Sequence, residues 1–160
     1  LDYTLIEKKI HHFLSLTHAR KGKSPLTIKT ELQALMWQHC GVVRTGKQLR
    51  YALQQLKRFQ NMTLATGKRL AMNERLIAAL DIHHMLPTCE MILRSALHRT
   101  ESRGAHYRSD YPTTKPSWRK NVYCEQTRKG LKVFTKPAPA IPRFLARLIA
   151  QSRPATHLLE

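Results

Sequence analysis

The strongest constraint on this chain is the spacing of its apolar residues, which keeps the period of an α-helix through most of residues 1–102. Apolar side chains recur every three or four positions in four stretches, at about residues 2–20, 25–41, 45–60 and 73–102. A helix with such a stripe buries one face against its neighbours. The pattern therefore predicts a mainly α fold, a bundle of three to four helices that is spectrin-repeat-like.

Local signals agree with these helix boundaries. Ser24 followed by Pro25 is typical of a helix start, and Thr45 with Gln48 has the spacing of a capping box. Pro87 lies inside the last stretch, where a proline removes one backbone hydrogen bond and costs roughly 3 kcal/mol. We therefore expect a kink, or two abutting helices, near residues 83–87.

The helical period stops after Gly104. Residues 121–124 and 131–135 have the composition of two short strands joined as a β hairpin, and several prolines separate them from an amphipathic piece at 144–149. We divide the chain into a helical bundle (1–102), a loop and β-hairpin extension (103–142) and an amphipathic C-terminal tail (143–160). The apolar face of the tail is short, which favours docking on a domain over lying on an anionic membrane.

The ends of the sequence predict a piece of a longer protein. The chain opens at Leu1 within a helical pattern, and the closing Leu159-Glu160 has the form of a vector-derived addition. Three widely spaced cysteines favour a reducing, cytoplasmic setting. No apolar stretch approaches the length of ~20 residues that a membrane-spanning helix needs.

The charge is strongly unbalanced, with 28 Lys and Arg against 10 Asp and Glu, a formal net charge of +18. Such a balance favours a polyanion partner. The cations are spread along the chain rather than clustered, so they do not outline a nucleic-acid groove. A domain excised from a larger protein would show the same imbalance if one of its faces normally meets a complementary one.

The segment from Arg94 to Pro112 carries the most information, since it reads RSALHRTESRGAHYRSDYP. We expect the helix to close near Ser102 and Gly104 to take the positive φ of a C-cap glycine. The side chains that follow would project from a loop, where a rigid scaffold presents functional groups. The candidate residues are Glu101, Ser102, Arg103, Gly104, His106, Arg108 and Asp110.

This segment resembles a signature in the C-terminal part of the succinate dehydrogenase and fumarate reductase flavoproteins and of the L-aspartate oxidases. Met36-Trp37 and the turn 41–45 resemble an upstream motif of the same family. Trp118-Arg119-Lys120, with Gly130 and Pro137, resembles the end seen in the succinate and fumarate enzymes. The resemblance spans about residues 1–142, and the branch of the family stays open.

The resemblance implies a role without catalysis for this chain alone. Family members hold FAD on a separate dinucleotide-binding domain and carry their catalytic residues on the flavin and capping domains. No catalytic, cofactor-binding or metal-binding residue is therefore assigned here, and FAD belongs to the parent protein. The implied partners are the flavin-binding and capping domains, in the cytoplasm or at the inner face of a membrane. A further candidate partner is an iron–sulfur subunit.

The residues of this segment have two possible roles, and the whole chain has one competing function. The acids and arginines of the segment either satisfy each other and the backbone, which holds the loop, or contact a substrate; we favour the first. Arg103, His106 and Arg108 are expected at the interface with the neighbouring domains, so that replacing them changes the stability of the isolated chain little. The competing function is a stand-alone basic module that binds nucleic acid non-specifically.

Trp37 is expected in the core, and the adjacent His11-His12 and His83-His84 pairs are poor metal chelators because the side chains of helical neighbours point in different directions.

Overall fold

A computed structural model of the chain describes residues 3–4, 6–8, 10–11, 21–67 and 71–151. The described residues between 3 and 11 are helical, and the rest of the helix predicted for 2–20 lies outside the described residues. Three longer helices follow, α1 (Pro25–Cys40), α2 (Gly46–Gln60) and α3 (Glu74–His98). Each of the three packs against the other two, which confirms the predicted mainly α bundle.

The core lies where the apolar stripes of the three helices meet. Leu32 from α1, Leu49 and Leu56 from α2 and Leu93 from α3 are at most 1 % exposed. Small side chains at Ala52 and Ala96 let the helices approach closely. Cys40 and Cys89 are buried in the same cluster as free thiols, and burial raises the pKa of both. These thiols are core residues.

The predicted cap at Thr45 is present, and Asn73 caps α3 without having been predicted to do so. Thr45 Oγ1 accepts the backbone N–H of Gln48 at 3.2 Å, and Asn73 Oδ1 accepts that of Leu76 at 3.1 Å. Ser24 lies at the N-cap position of α1, but its side chain makes no capping hydrogen bond. The fixed φ of Pro25 supplies the start there instead.

Of the two alternatives expected near Pro87, two abutting helices are not formed, because α3 runs through this residue as one helix of 25 residues, and a kink stays a prediction. The helix packs on α1 and α2, and this burial offsets the lost hydrogen bond. α3 is also long and apolar enough to cross a membrane by length and composition, contrary to our expectation. Its inward face is packed in the bundle, where Leu76, Ile82 and Leu93 are buried.

The end of α3 also differs from the prediction, since the helix stops at His98 rather than at Ser102. Gly104 has the predicted positive φ of +54°, but it lies in a turn after the helix and is not its C-cap. Within this turn the backbones of Arg103 and His106 exchange hydrogen bonds of 2.8 and 3.0 Å.

Two pairs of strands complete the fold. β1 (Val43–Arg44), in the turn between α1 and α2, pairs in parallel with β2 (Tyr107–Arg108). The predicted hairpin is present and longer than expected, with β3 (Lys120–Thr127) antiparallel to β4 (Gly130–Pro137). A helix α4 (Arg143–Gln151) follows within the predicted tail. The division into bundle, extension and tail stays a prediction.

Candidate functional site

Glu101 is the buried anion of the loop that follows α3. Its side chain is fully buried, and its carboxylate accepts from Arg99 Nη1 at 2.6 Å, Arg103 Nε at 2.8 Å and the backbone N–H of Lys115 at 2.7 Å. The bond from Arg103 is the main cause that lowers the pKa of Glu101 to about 2. Glu101 therefore stays ionised and ties the end of α3 to the chain near Lys115.

Ser102 holds the loop from the other side. Its hydroxyl accepts the backbone N–H of Arg108 at 2.9 Å and donates to the carbonyl of Tyr111 at 2.8 Å. The hydroxyl of Thr114 donates to the carbonyl of Ser102 at 2.7 Å. These bonds close residues 102–114 into a compact loop, in which the Nε2 atom of His106 is the buried side-chain atom left without a hydrogen-bond partner among the described residues.

Arg108 is the largest fully buried side chain among the described residues, at 2 % exposure. Its guanidinium binds Asp110 in a bidentate manner, with Nε to Oδ1 and Nη2 to Oδ2 both at 2.7 Å. Nη1 donates to the carbonyl of Ala96 at 2.9 Å, and the Tyr111 ring lies 5.0 Å from the guanidinium carbon. Arg108 thus caps the C-terminus of α3, where a cation is favoured.

Asp110 carries this network to the start of α2. Its Oδ2 accepts the backbone N–H of Gly46 at 2.8 Å, a carboxylate at a helix N-terminus. A Cβ at position 46 would lie 3.0 Å from Arg108 Nη2 and 3.1 Å from Asp110 Oδ2, so glycine allows the close approach. Arg108 and Asp110 therefore connect the end of α3 to the beginning of α2.

His106 meets Arg44 beside this network. Arg44 Nε donates to the carbonyl of Gly41 at 2.7 Å, and its Nη1 lies 3.1 Å from His106 Nδ1. Because a guanidinium has only donors, Nδ1 must be the acceptor and the imidazole must be neutral. Burial first, and then the charge of Arg44, lower the pKa of His106 from its usual value.

The surface next to this network, where the end of α1 meets β1 and β2, is apolar and exposed. Trp37 in the last turn of α1 is 78 % exposed, and Val42 and Val43 just after it are 74 % and 57 % exposed. Tyr107, the strand partner of Val43, is 41 % exposed. We call Trp37, Val42, Val43 and Tyr107 the apolar corner. The expectation that Trp37 belongs to the core is wrong: the apolar stripe of α1 turns Ile28 and Leu32 inward and leaves Trp37 on the surface.

The predicted site residues thus fall into two groups. Glu101, Ser102, Arg108 and Asp110 lie in the network inside this chain, so the expectation that the Arg108 side chain points to another domain does not fit its burial. Arg103 and Gly104 are exposed, and His106 is partly buried. Whether these residues meet another domain stays a prediction.

Sequence reasoning missed the partners of these residues. Arg44 and Gly46 lie about sixty positions before His106 and Asp110, and the 41–45 turn drew notice only as a separate motif. That turn and the signature segment are adjacent in the structure, joined through β1 and β2. Both motifs resemble the same family, which was the available signal, but their contact could not be read from their positions along the chain.

A groove of about 490 Å³ lies beside His106, between α3 and β3. Its walls are mainly apolar, from Met91, Ile92 and Val122, and Arg44 and His106 line its polar end. Cys124 faces the same space, with its sulfur 3.1 Å from Ser95 Oγ.

The described residues do not fit a dinucleotide cofactor. Such a cofactor needs a glycine-rich turn at a helix N-terminus, where free N–H groups receive its pyrophosphate. Gly46 begins α2, but its N–H is occupied by Asp110. Gly22, shortly before α1, is packed against the backbone of Thr63, so that a Cβ there would clash at 2.4 Å. We assign no residue of this chain to a flavin.

Comparison with known proteins points in one direction. The profile of the family described as "Fumarate reductase flavoprotein C-term" matches residues 29–142. The chain is 35% identical over 100 residues to one polypeptide of the fumarate reductase (CoM/CoB) of Methanothermobacter marburgensis, covering 61% of this chain and 18% of that one. It is 35% identical over 126 residues to an L-aspartate oxidase of Synechocystis sp., covering 69% of this chain and 22% of that one.

A solved structure gives the same result for the fold. The Mycobacterium smegmatis Sdh1 complex in its apo form superposes with a TM-score of 0.75 at 26% identity, covering 89% of this chain and 25% of that one. The chain therefore spans about a fifth to a quarter of the length of these relatives. These matches confirm the predicted resemblance and lend no support to the nucleic-acid alternative. This chain belongs to the family of C-terminal flavoprotein domains shared by succinate dehydrogenase, fumarate reductase and L-aspartate oxidase.

Proposed function

We propose that this chain is the C-terminal domain of an FAD-dependent oxidoreductase of a four-carbon dicarboxylate, and that it buttresses the flavin and capping domains without taking part in catalysis. The observation that carries the proposal is the family match over residues 29–142, together with an apolar corner beside the loop of residues 102–114, which we call the signature loop. FAD and the reacting groups belong to the other domains. An iron–sulfur subunit is a further partner, and the setting is cytoplasmic.

The signature loop gives this corner a rigid base. Two ion pairs that each have one fully buried partner, Glu101 with Arg99 and Arg108 with Asp110, fix the loop on both sides of the turn at Gly104. Charge-assisted bonds of 2.6–2.8 Å orient their partners more strictly than neutral ones do. The turn and Tyr107 therefore occupy one fixed position on the surface.

The apolar corner supplies the contact itself. Four exposed apolar side chains on neighbouring parts of one surface are typical of an interaction site. Trp and Tyr are enriched among residues that dominate interface energies. Arg103 adds a cation whose side chain is 42 % exposed although it binds Glu101. In the parent protein this surface packs against the neighbouring domains and orders them around the flavin.

A chimera tests this function. In the Synechocystis L-aspartate oxidase, the aligned C-terminal segment is replaced by this chain, and flavin retention and L-aspartate oxidation are measured. We expect a flavin-loaded, active chimera. Trp37→Ser combined with Tyr107→Ser should lower activity or flavin retention about tenfold or more, since interface anchors contribute above about 1–2 kcal/mol each. Arg103→Ala should weaken both to a smaller extent.

The matched control is Met72→Ser, because Met72 is 99 % exposed and lies outside the apolar corner. It should leave the chimera unchanged. An active chimera in which the Trp37 and Tyr107 variants match the control would refute the role of the corner. A chimera that folds and holds no flavin would refute the buttressing function.

A further inference from the structure

We infer that α4 is a membrane-surface helix that binds anionic lipid headgroups, a function separate from the domain contacts proposed above. All residues from 143 to 149 are exposed, so α4 leaves its apolar face uncovered by the rest of the described chain. Phe144, Leu145, Leu148 and Ile149 are 64 %, 40 %, 58 % and 59 % exposed. This face does not dock on the described part of this chain, and docking on another domain, which we expected from the sequence, stays the competing prediction.

The arrangement of residues on α4 is amphipathic. At about 100° per residue, its four large apolar side chains fall within an arc of roughly 140°. Arg143 and Arg147, one turn apart, fall on the opposite side. A strongly polar, basic face opposite a Phe and Leu face is the pattern of helices that lie in the plane of a membrane interface.

Charge identifies the partner as anionic. Between residues 115 and 147 the sequence holds nine Lys and Arg and one acid, Glu125, and α4 itself has no acidic residue. Each Lys or Arg near an anionic bilayer contributes about 1 kcal/mol of attraction. A protein partner would need both an acidic rim and an apolar groove, whereas an anionic bilayer supplies both properties at every point of its surface. We therefore assign the uncovered face to lipid.

Flotation of the full 160-residue chain with vesicles tests the inference. We expect binding to phosphatidylcholine vesicles that contain phosphatidylglycerol and little binding to pure phosphatidylcholine. The double variant Arg143→Gln, Arg147→Gln should weaken binding about 30-fold, at roughly 1 kcal/mol for each cation. Phe144→Ser with Leu148→Ser should weaken it about tenfold or more, because their apolar surface no longer enters the bilayer.

The control removes the same charge elsewhere. Lys57→Gln with Arg58→Gln takes two exposed cations from the end of α2 and should change binding less than about threefold, since salt screens distant charges. An equal loss in both charge variants would show that net charge alone drives binding, and would overturn the inference. Wild-type binding by the Phe144 and Leu148 variant would overturn it too. A lower melting temperature in that variant would show that α4 packs on the protein, which also refutes the assignment.

Discussion

Arg108 offers the most direct test of the network that holds the signature segment. Replacing it with alanine removes a bidentate ion pair with Asp110 and a hydrogen bond to the last turn of α3. The carbonyl of Ala96 then loses its partner in a region where Arg108 is 2 % exposed. Breaking a buried pair costs about 3–5 kcal/mol, and an orphaned buried acceptor adds to that cost.

The exposure of the partner reduces the expected effect. The Asp110 side chain is 37 % exposed, so water and the Gly46 N–H stabilise its charge after the arginine is lost. We therefore expect Arg108→Ala to lower the free energy of unfolding by about 3 kcal/mol. This replaces the small effect that the sequence alone led us to expect. Arg108→Lys should fall between the two proteins, because lysine keeps the charge and loses the planar fork.

Urea unfolding followed by circular dichroism measures this difference. With a slope of about 2 kcal/mol per molar urea, 3 kcal/mol moves the midpoint by about 1.5 M. The matched control is Arg94→Ala, which removes an i,i+4 surface pair with Glu90 and should cost about 0.5 kcal/mol or less. If Arg108→Ala and Arg94→Ala unfold at the same midpoint, the burial argument fails.

Four further predictions concern pH, a helix cap and nucleic acid. The pKa of Glu101 is lowered to about 2, so its stabilising effect is complete above the unfolded value of about 4.3 and is lost as pH falls toward 2. The urea midpoint of Glu101→Gln should therefore approach that of the wild type over this pH range. A difference between the two midpoints that stays constant with pH would contradict this. The lowered pKa of His106 means that acidification below about 6.5 protonates the unfolded chain first and lowers stability. His106→Gln should have a flatter stability profile between about pH 7 and 5 in the same assay, and an unchanged slope would exclude His106 as the cause. Thr45→Ala removes the cap of α2 and should cost about 1 kcal/mol in thermal unfolding, whereas Ser24→Ala, which loses no cap bond, should cost less. Nucleic-acid binding should be weak and collapse as salt rises in a filter-binding titration, and a specificity ratio near 10³ would revive the alternative function.

The sequence alone was sufficient to predict that the three long helices and the β hairpin exist, though not all of their bounds. Helices α1 to α3 follow from apolar spacing and, for α2, from the cap at Thr45, which acts within a few residues. The hairpin follows from alternating residues around a polar turn, and the positive φ of Gly104 from its place after a helix. The family resemblance was also readable, because its motif residues stand in order along the chain.

The tertiary structure decided which side chains meet and which face outward. Asp110 caps α2 through the N–H of Gly46, and Arg108 caps α3 through the carbonyl of Ala96. In neither case does the sequence show that the two residues meet. Helical periodicity placed Trp37 near a stripe but could not show that the bundle leaves it exposed. Propensity at Pro87 left open two abutting helices, and α3 stays continuous there because burial along the whole helix outweighs one lost hydrogen bond. Local patterns fix the backbone period, whereas the partner of a charged or apolar side chain depends on segments that only folding brings together.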